Sequence, residues 1–166
     1  MACTFEQGAR LVEAAQSRKV NYVVGYMKRY DEGVQMAKRM LDELLATQEL
    51  GPVLFARAHC YMGDSYCNAY GHIVTDEKPD YTDAGWPIAP EWVPESRARD
   101  FAAYLNTYSH NINLLRYLFG RTPVAEHVNF AQPAGRLAVL NFGPFVAPLE
   151  TGCSSGRGGD ELTEIY

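Results

Sequence analysis

No apolar run in this sequence approaches the ~20 residues that cross a bilayer. Runs of Lys or Arg are missing too, and 15 basic residues against 20 acidic ones leave a formal charge of -5. These two absences argue against a membrane span and against the basic footprint of a nucleic-acid binder, so neither partner is expected. A phosphate-cradling lysine is also lacking. The glycines of 152–159 stand in Gly-Cys-Ser-Ser-Gly-Arg-Gly-Gly with no strand-loop-helix setting, which gives no reason to place a phosphate there. Cysteines number four, Cys3, Cys60, Cys67 and Cys153, scattered in a way that argues for reduced thiols over a disulfide framework. His59, Cys60, Cys67 and His72 lie close together but match no closed zinc spacing, and no metal is assigned. The N-terminus shows Glu6 and a helix-like pattern in place of a signal-peptide profile, so the expected address is cytoplasmic.

What is present describes an ordinary globular chain. Its 166 residues are 47% hydrophobic and 21% charged, enough for one compact domain or one domain plus a fragment. Thr4 followed three residues later by Gln7 resembles a capping box, and Phe5, Ala9, Val12 and Ala15 continue at helical spacing to about Ser17. Val20–Val24 reads as a short strand ending at Gly25, which predicts half of an α/β unit. Tyr26, Lys28, Arg29 and Tyr30 then stand at the strand exit, where open α/β sheets bind ligands.

Asp31 is placed to cap a helix whose stripe is Val34, Ala37, Met40, Leu41, Leu44 and Leu45, closed by Gly51 and Pro52. Val53–Tyr61 reads as a strand, with Arg57 and His59 on one face and Ala56, Ala58 and Cys60 on the other. From Met62 to Pro94 a long aromatic and Pro/Gly-rich stretch is expected to be an ordered loop. Pro94 and Glu95 open a helical region running to Gly120, with a break allowed near Asn106. The segments 124–131 and 136–142 predict a β-hairpin, and Phe145–Glu150 and Leu162–Tyr166 are expected to extend that antiparallel sheet.

Within the helical region that ends at Gly120, Leu105, Tyr108, Ile112, Leu115 and Phe119 share one face, and Asn106, His110, Asn113 and Tyr117 another. One stripe is core. The other aims an imidazole, two amides and a phenol elsewhere, as a helix flooring a cleft would.

Val23-Val24-Gly25-Tyr26-Met27-Lys28-Arg29-Tyr30-Asp31, Leu50-Gly51-Pro52, Ser109-His110-Asn111-Ile112-Asn113-Leu114-Leu115-Arg116-Tyr117-Leu118-Phe119-Gly120 and Gly135-Arg136-Leu137-Ala138-Val139-Leu140 occur in that order. Together they resemble the Gfo/Idh/MocA family of glucose-fructose oxidoreductases and inositol dehydrogenases. The resemblance implies an α+β fold, with an open, largely antiparallel sheet packed against helices. It also implies that residues 1–25 are a remnant helix and strand of a Rossmann domain, and that 26–166 are the C-terminal substrate domain, truncated at its end.

In such relatives a glycine-rich loop and a Glu-Lys-Pro motif precede the segment matching Thr4–Ser17, and Glu77-Lys78-Pro79 lies too far downstream to be that motif. His110 matches the histidine of the family's Asp-x-x-x-His element, and Asn106 stands where the aspartate is expected. An amide still hydrogen-bonds but carries no charge to stabilise an imidazolium. By the same resemblance Lys28 and Tyr26 are cofactor-binding, and Arg29, His59, Asn113 and Tyr117 face the substrate.

The implied parent is an NAD- or NADP-dependent oxidoreductase acting on a sugar, polyol or related small substrate, a homo-oligomer through its sheet. The chain alone is expected to bind no nicotinamide and to be inactive, since the glycine-rich turn that seats the pyrophosphate is not in the sequence. A non-enzymatic carbohydrate-binding or oligomerisation module is the alternative. A small metalloprotein built on the Cys60–His72 cluster is a third reading.

Overall fold

Local chemistry sets the first helix, α1 (Phe5–Ser17). Thr4 Oγ1 accepts the Gln7 backbone N–H at 3.2 Å, which satisfies one orphan donor of the first turn, and Gln7 Oε1 accepts the N–H of Cys3, one residue before the cap, at 2.7 Å. The computed structural model describes residues 2–63, 76, 87–131, 135–154 and 159–166. The long stretch 64–75 and 77–86, with Cys67 and His72, lies outside the described residues, as do residues 132–134, on which the hairpin turn is expected.

Val20–Val24 corrects the sequence reading. Among the described residues it pairs with no strand, and Val20, Tyr22, Val23 and Val24 are all exposed. β-branched composition favours a strand only where a neighbouring backbone completes the ladder, and this segment has none.

A 3-10 turn, Met27–Tyr30, leads into α2 (Glu32–Thr47). Asp31 Oδ1 caps α2 by accepting the Val34 N–H at 3.0 Å. The helix ends at Gln48 in the left-handed conformation, and Gly51 (φ 78°) completes the reversal before Pro52.

Among the described residues the sheet has five strands: β1 (Ala56–Gly63), β2 (Val124–Asn129), β3 (Gly135–Asn141), β4 (Val146–Ser154) and β5 (Asp160–Ile165). Their spatial order is β2-β3-β4-β1-β5. Three pairings are antiparallel; β1 and β4 run parallel, with α3 (Glu95–Phe119), β2 and β3 between them in sequence. The open, largely antiparallel sheet is as expected, with one difference. β5 does not add to the hairpin; β1 sits between β4 and β5, because Ala58 pairs with Leu149 on one side and Thr163 on the other. The expected break near Asn106 is also absent, and α3 is continuous.

The chain divides into two compact units, residues 1–26 with 76–110 and residues 27–75 with 111–166, and α3 runs through both. In the second unit the core lies between one sheet face and the C-terminal half of α3. Ala56, Ala58, Ala138, Leu140, Ala147 and Leu149 present small and medium side chains to Leu115, with Ile112 and Phe119 packed beside it. Alanines on adjacent strands let the helix approach closely. Phe142 and Phe145 stack at 5.2 Å across the β3–β4 turn, and Phe119 meets both edge-on at 5.1 and 4.7 Å. Gly143 (φ 96°) makes that turn possible. Leu114 and Leu118, one step round α3, pack instead with Leu41 of α2.

In the first unit, Trp92 meets Phe101 edge-on at 5.8 Å, and Tyr108 is buried with Tyr104 at 5.0 Å. No residue of α1 is buried.

Candidate functional site

Five of the eight residues singled out from sequence fall into two clusters, one in each unit. In the first unit the Tyr26 ring stands edge-on to the His110 imidazole, with centroids 5.5 Å apart and planes at 74°. Both side chains are half-buried, whereas Asn106, one turn earlier on α3, is exposed. A T-shaped ring contact of this kind orients the imidazole.

In the second unit α3 carries Asn113 and Tyr117 at i and i+4, and Arg29 of the 3-10 turn reaches both. Its Nε donates to Asn113 Oδ1 at 2.5 Å, and its guanidinium carbon lies 5.3 Å from the centre of the Tyr117 ring. Asn113 is 8% exposed. A neutral amide orients the guanidinium without cancelling its charge.

Lys28 is placed differently. Its ammonium pairs with Glu161 of β5, and Asn111 Nδ2 donates to the same Glu161 Oε1 at 2.8 Å. Lys28 and Glu161 stand in the wall of an open groove of about 840 Å³, otherwise lined largely by apolar side chains that include Val34, Leu114, Leu118 and Ile165.

His59 lies apart from both clusters. Strand alternation puts Ala56, Ala58 and Cys60 on the α3 side of β1 and Arg57, His59 and Tyr61 on the other. His59 Nε2 is 3.1 Å from Asp160 Oδ1, and Arg57 pairs with Glu150 at 3.0 Å. Tyr61 has its pKa pushed up by burial, with the Glu150 carboxylate adding to the effect. His59 and Cys60 therefore point to opposite faces and cannot share a metal. Among the described residues no group of three or more His, Cys, Asp or Glu is arranged to hold an ion.

Sequence reasoning passed over Asn111 and Glu161. The signal for Asn111 was available: it sits four residues before Leu115 on the core-facing side of α3, and a polar residue inside an apolar stripe is the informative exception. Glu161 had no comparable mark, because its partners come from elements more than 49 residues away in sequence.

No helix among the described residues is long and apolar enough to cross a membrane. No family model matches the sequence, and no curated protein matches it. Solved structures do. The myo-inositol dehydrogenase of Lactobacillus casei, in complex with NAD(H) and myo-inositol, matches 99% of this chain with a TM-score of 0.60 or above, at 0.63, and 18% identity. The scyllo-inositol dehydrogenase of the same organism, with bound NAD(H) and scyllo-inositol, matches 99% with a TM-score of 0.60 and 15% identity. The WlbA dehydrogenase of Thermus thermophilus, in complex with NAD and alpha-ketoglutarate, matches 96% with a TM-score of 0.59 and 18% identity. This chain spans 42%, 45% and 46% of those three, less than half of each. Identity this low establishes kinship of architecture alone: the chain has the fold of the C-terminal domain of Gfo/Idh/MocA-type inositol and sugar dehydrogenases.

Proposed function

We propose that the chain is the substrate-side part of an NAD(P)-dependent oxidoreductase acting on a sugar, polyol or related small hydroxylated compound. The observation that carries this reading is the match over 99% of the chain to two inositol dehydrogenases solved with NAD(H) and an inositol. Residues 1–25 belong on this reading to the dinucleotide-binding domain, and residues 26–166 to the substrate domain.

Oxidising an alcohol requires a base for the hydroxyl proton as hydride leaves the carbon, and NAD or NADP, when bound, accepts that hydride. His110 is the base. Its edge-on contact with Tyr26 supports a fixed imidazole, and Asn106 orients it as a neutral hydrogen-bonding neighbour. Tyr26 and Lys28 face the cofactor. Arg29, Asn113 and Tyr117 bind substrate hydroxyls; His59, on the face of β1 turned away from α3 and paired with Asp160, is not placed to join them. The donor set suits a neutral polyol: one oriented guanidinium, amides and a phenol supply directional hydrogen bonds, while the Lys28 charge is matched by Glu161.

The isolated chain binds no nicotinamide and is inactive, and the parent is a homo-oligomer through its sheet. A second reading, a non-enzymatic carbohydrate-binding or association module, draws support from β2, an edge strand with every residue exposed. Gene sequence upstream of Met1 separates the two. An in-frame glycine-rich strand-turn-helix and a Glu-Lys-Pro motif favour the enzyme, and His110→Ala in that longer protein is then expected to abolish polyol-dependent NAD(P) reduction while the fold, read by circular dichroism, persists. Full turnover in the variant removes His110 from the mechanism. Stoichiometric NAD binding to the 166-residue chain, seen by calorimetry, contradicts the expected inactivity of the chain alone.

A further inference from the structure

The sheet face that carries the core turns polar toward one end. Cross-strand register sets Arg136, Thr151, Cys60 and Glu161 side by side in a single row over β3, β4, β1 and β5. The adjacent row, Ala138, Leu149, Ala58 and Thr163, is mostly apolar and belongs to the core. α3 lowers Asn111 onto the polar row. The Asn111 Nδ2 donates to Glu161 Oε1 at 2.8 Å. Lys28 closes the far side through its pair with Glu161.

Two atoms in this cluster meet no protein partner among the described residues: Asn111 Oδ1 and Thr151 Oγ1. Asn111 is 2% exposed and Thr151 fully buried. Rotating the amide offers no relief, since it would turn Oδ1 toward the Glu161 carboxylate. Buried polar atoms in folded proteins are nearly always met by protein or by an ordered water, and water sites are recognised by several polar groups converging where apolar atoms do not fill the space. Burial also fixes the size of the occupant. A ligand hydroxyl tethered to a larger body does not reach atoms so enclosed, and the complement of an open amide oxygen and an open hydroxyl is a small O–H donor.

We propose that the Arg136–Thr151–Cys60–Glu161 row is an internal water site, in which one water donates to Asn111 Oδ1 and hydrogen-bonds Thr151 Oγ1. The water ties α3 to the middle of the sheet. It also completes a polar chain from Lys28 through Glu161 and Asn111 to β4. Asn at position 111 is thereby explained: its amide donates on one side and accepts on the other, which a carboxylate in its place cannot do.

The test combines a structure and a substitution. A crystal structure of the 166-residue chain is expected to show an ordered water about 2.7–3.2 Å from both atoms. Thr151→Val keeps the side-chain shape and removes the hydroxyl. Loss of a bridged water lowers the urea midpoint and leaves Asn111 Oδ1 stranded, so a clear drop is expected. A hydroxyl that has no partner does the opposite, and its removal raises the midpoint; a raised or unchanged midpoint overturns the proposal. Should Thr151→Val fail to fold, Thr151→Ser retains the hydroxyl and is expected to retain the water. A dry site in the crystal structure of the unaltered chain, with Thr151 Oγ1 turned to a backbone carbonyl, overturns the proposal without any variant.

Discussion

α1 and α2 are specified by the same local rules and end in different surroundings. Each has a side-chain oxygen at its N-cap, Thr4 or Asp31, and an acidic residue in its first turn, Glu6 or Glu32. Each carries an apolar stripe. α2 seats Leu41 against Leu114 and Leu118, with Val34 and Leu45 beside them. α1 buries nothing: Phe5 is 87% exposed, and Phe5, Val12 and Val23 line an open groove of about 820 Å³. An apolar stripe is a requirement for a partner surface, and propensity and capping shape the helix without supplying that surface.

The sharpest way to break the comparison is to remove one apolar side chain from each region. Leu115 is fully buried between α3 and the sheet, so Leu115→Ala is expected to cost about 3 kcal/mol or more, through lost transfer energy and the cavity left behind. Val12, half exposed on α1, is expected to cost less than about 0.5 kcal/mol when replaced by Ala. Urea denaturation of both variants reads the difference. A Val12→Ala cost comparable to that of Leu115→Ala would mean that α1 is packed after all.

Cap removal sharpens the same contrast at a smaller scale. Asp31→Ala deprives Val34 N–H of its acceptor at the start of a helix that the second unit packs, and about 1 kcal/mol of loss is expected in the main unfolding transition. Thr4→Ala removes the equivalent bond to Gln7 N–H. Because α1 contributes no buried residue, this loss is expected as faster amide exchange within α1 with the main midpoint unmoved. A midpoint shift of equal size in both variants would show that α1 unfolds together with the sheet.

These contrasts also mark what a sequence can disclose. Both caps, α1's bounds at Phe5 and Ser17, the hairpin of β2 and β3, and the Leu115 stripe are local patterns, and they were legible because their determinants lie within a few residues. Val20–Val24 misled because its composition describes what a strand is made of, while a strand also needs a neighbour. The insertion of β1 between β4 and β5 was hidden for the same reason: Ala58 finds Leu149 and Thr163 about ninety or more positions later, and spacing along the chain does not encode that choice. In the candidate site, Arg29, Asn113 and Tyr117 lie together, since two of them share a helix face and the third follows a recognisable turn, whereas His59, grouped with them from sequence, lies on the other face of β1. Glu161, the partner that neutralises Lys28, was invisible until strands were paired.

The smallest expected effect concerns Cys60 and the alkaline side of the stability curve. Burial in the polar row raises its pKa, the nearby Glu161 carboxylate adds to the rise, and Lys28 and Asn111 oppose it. In the unfolded chain the thiol ionises at its ordinary value, so between that value and the raised one the folded state holds a proton that the unfolded state has released. Stability therefore falls as pH climbs through the thiol range, and it is intact below it. Cys60→Ala is expected to flatten the decline between about pH 8 and pH 10, measured as the urea midpoint against pH, leaving the part due to Tyr61, whose pKa is also raised. The exposed Cys153 offers the internal contrast, since an alkylating reagent is expected to modify it in the folded protein while Cys60 reacts only on unfolding. Rapid modification of Cys60 in the native state, located by peptide mass, would show that the row opens to solvent, and the steep alkaline decline would then require another source.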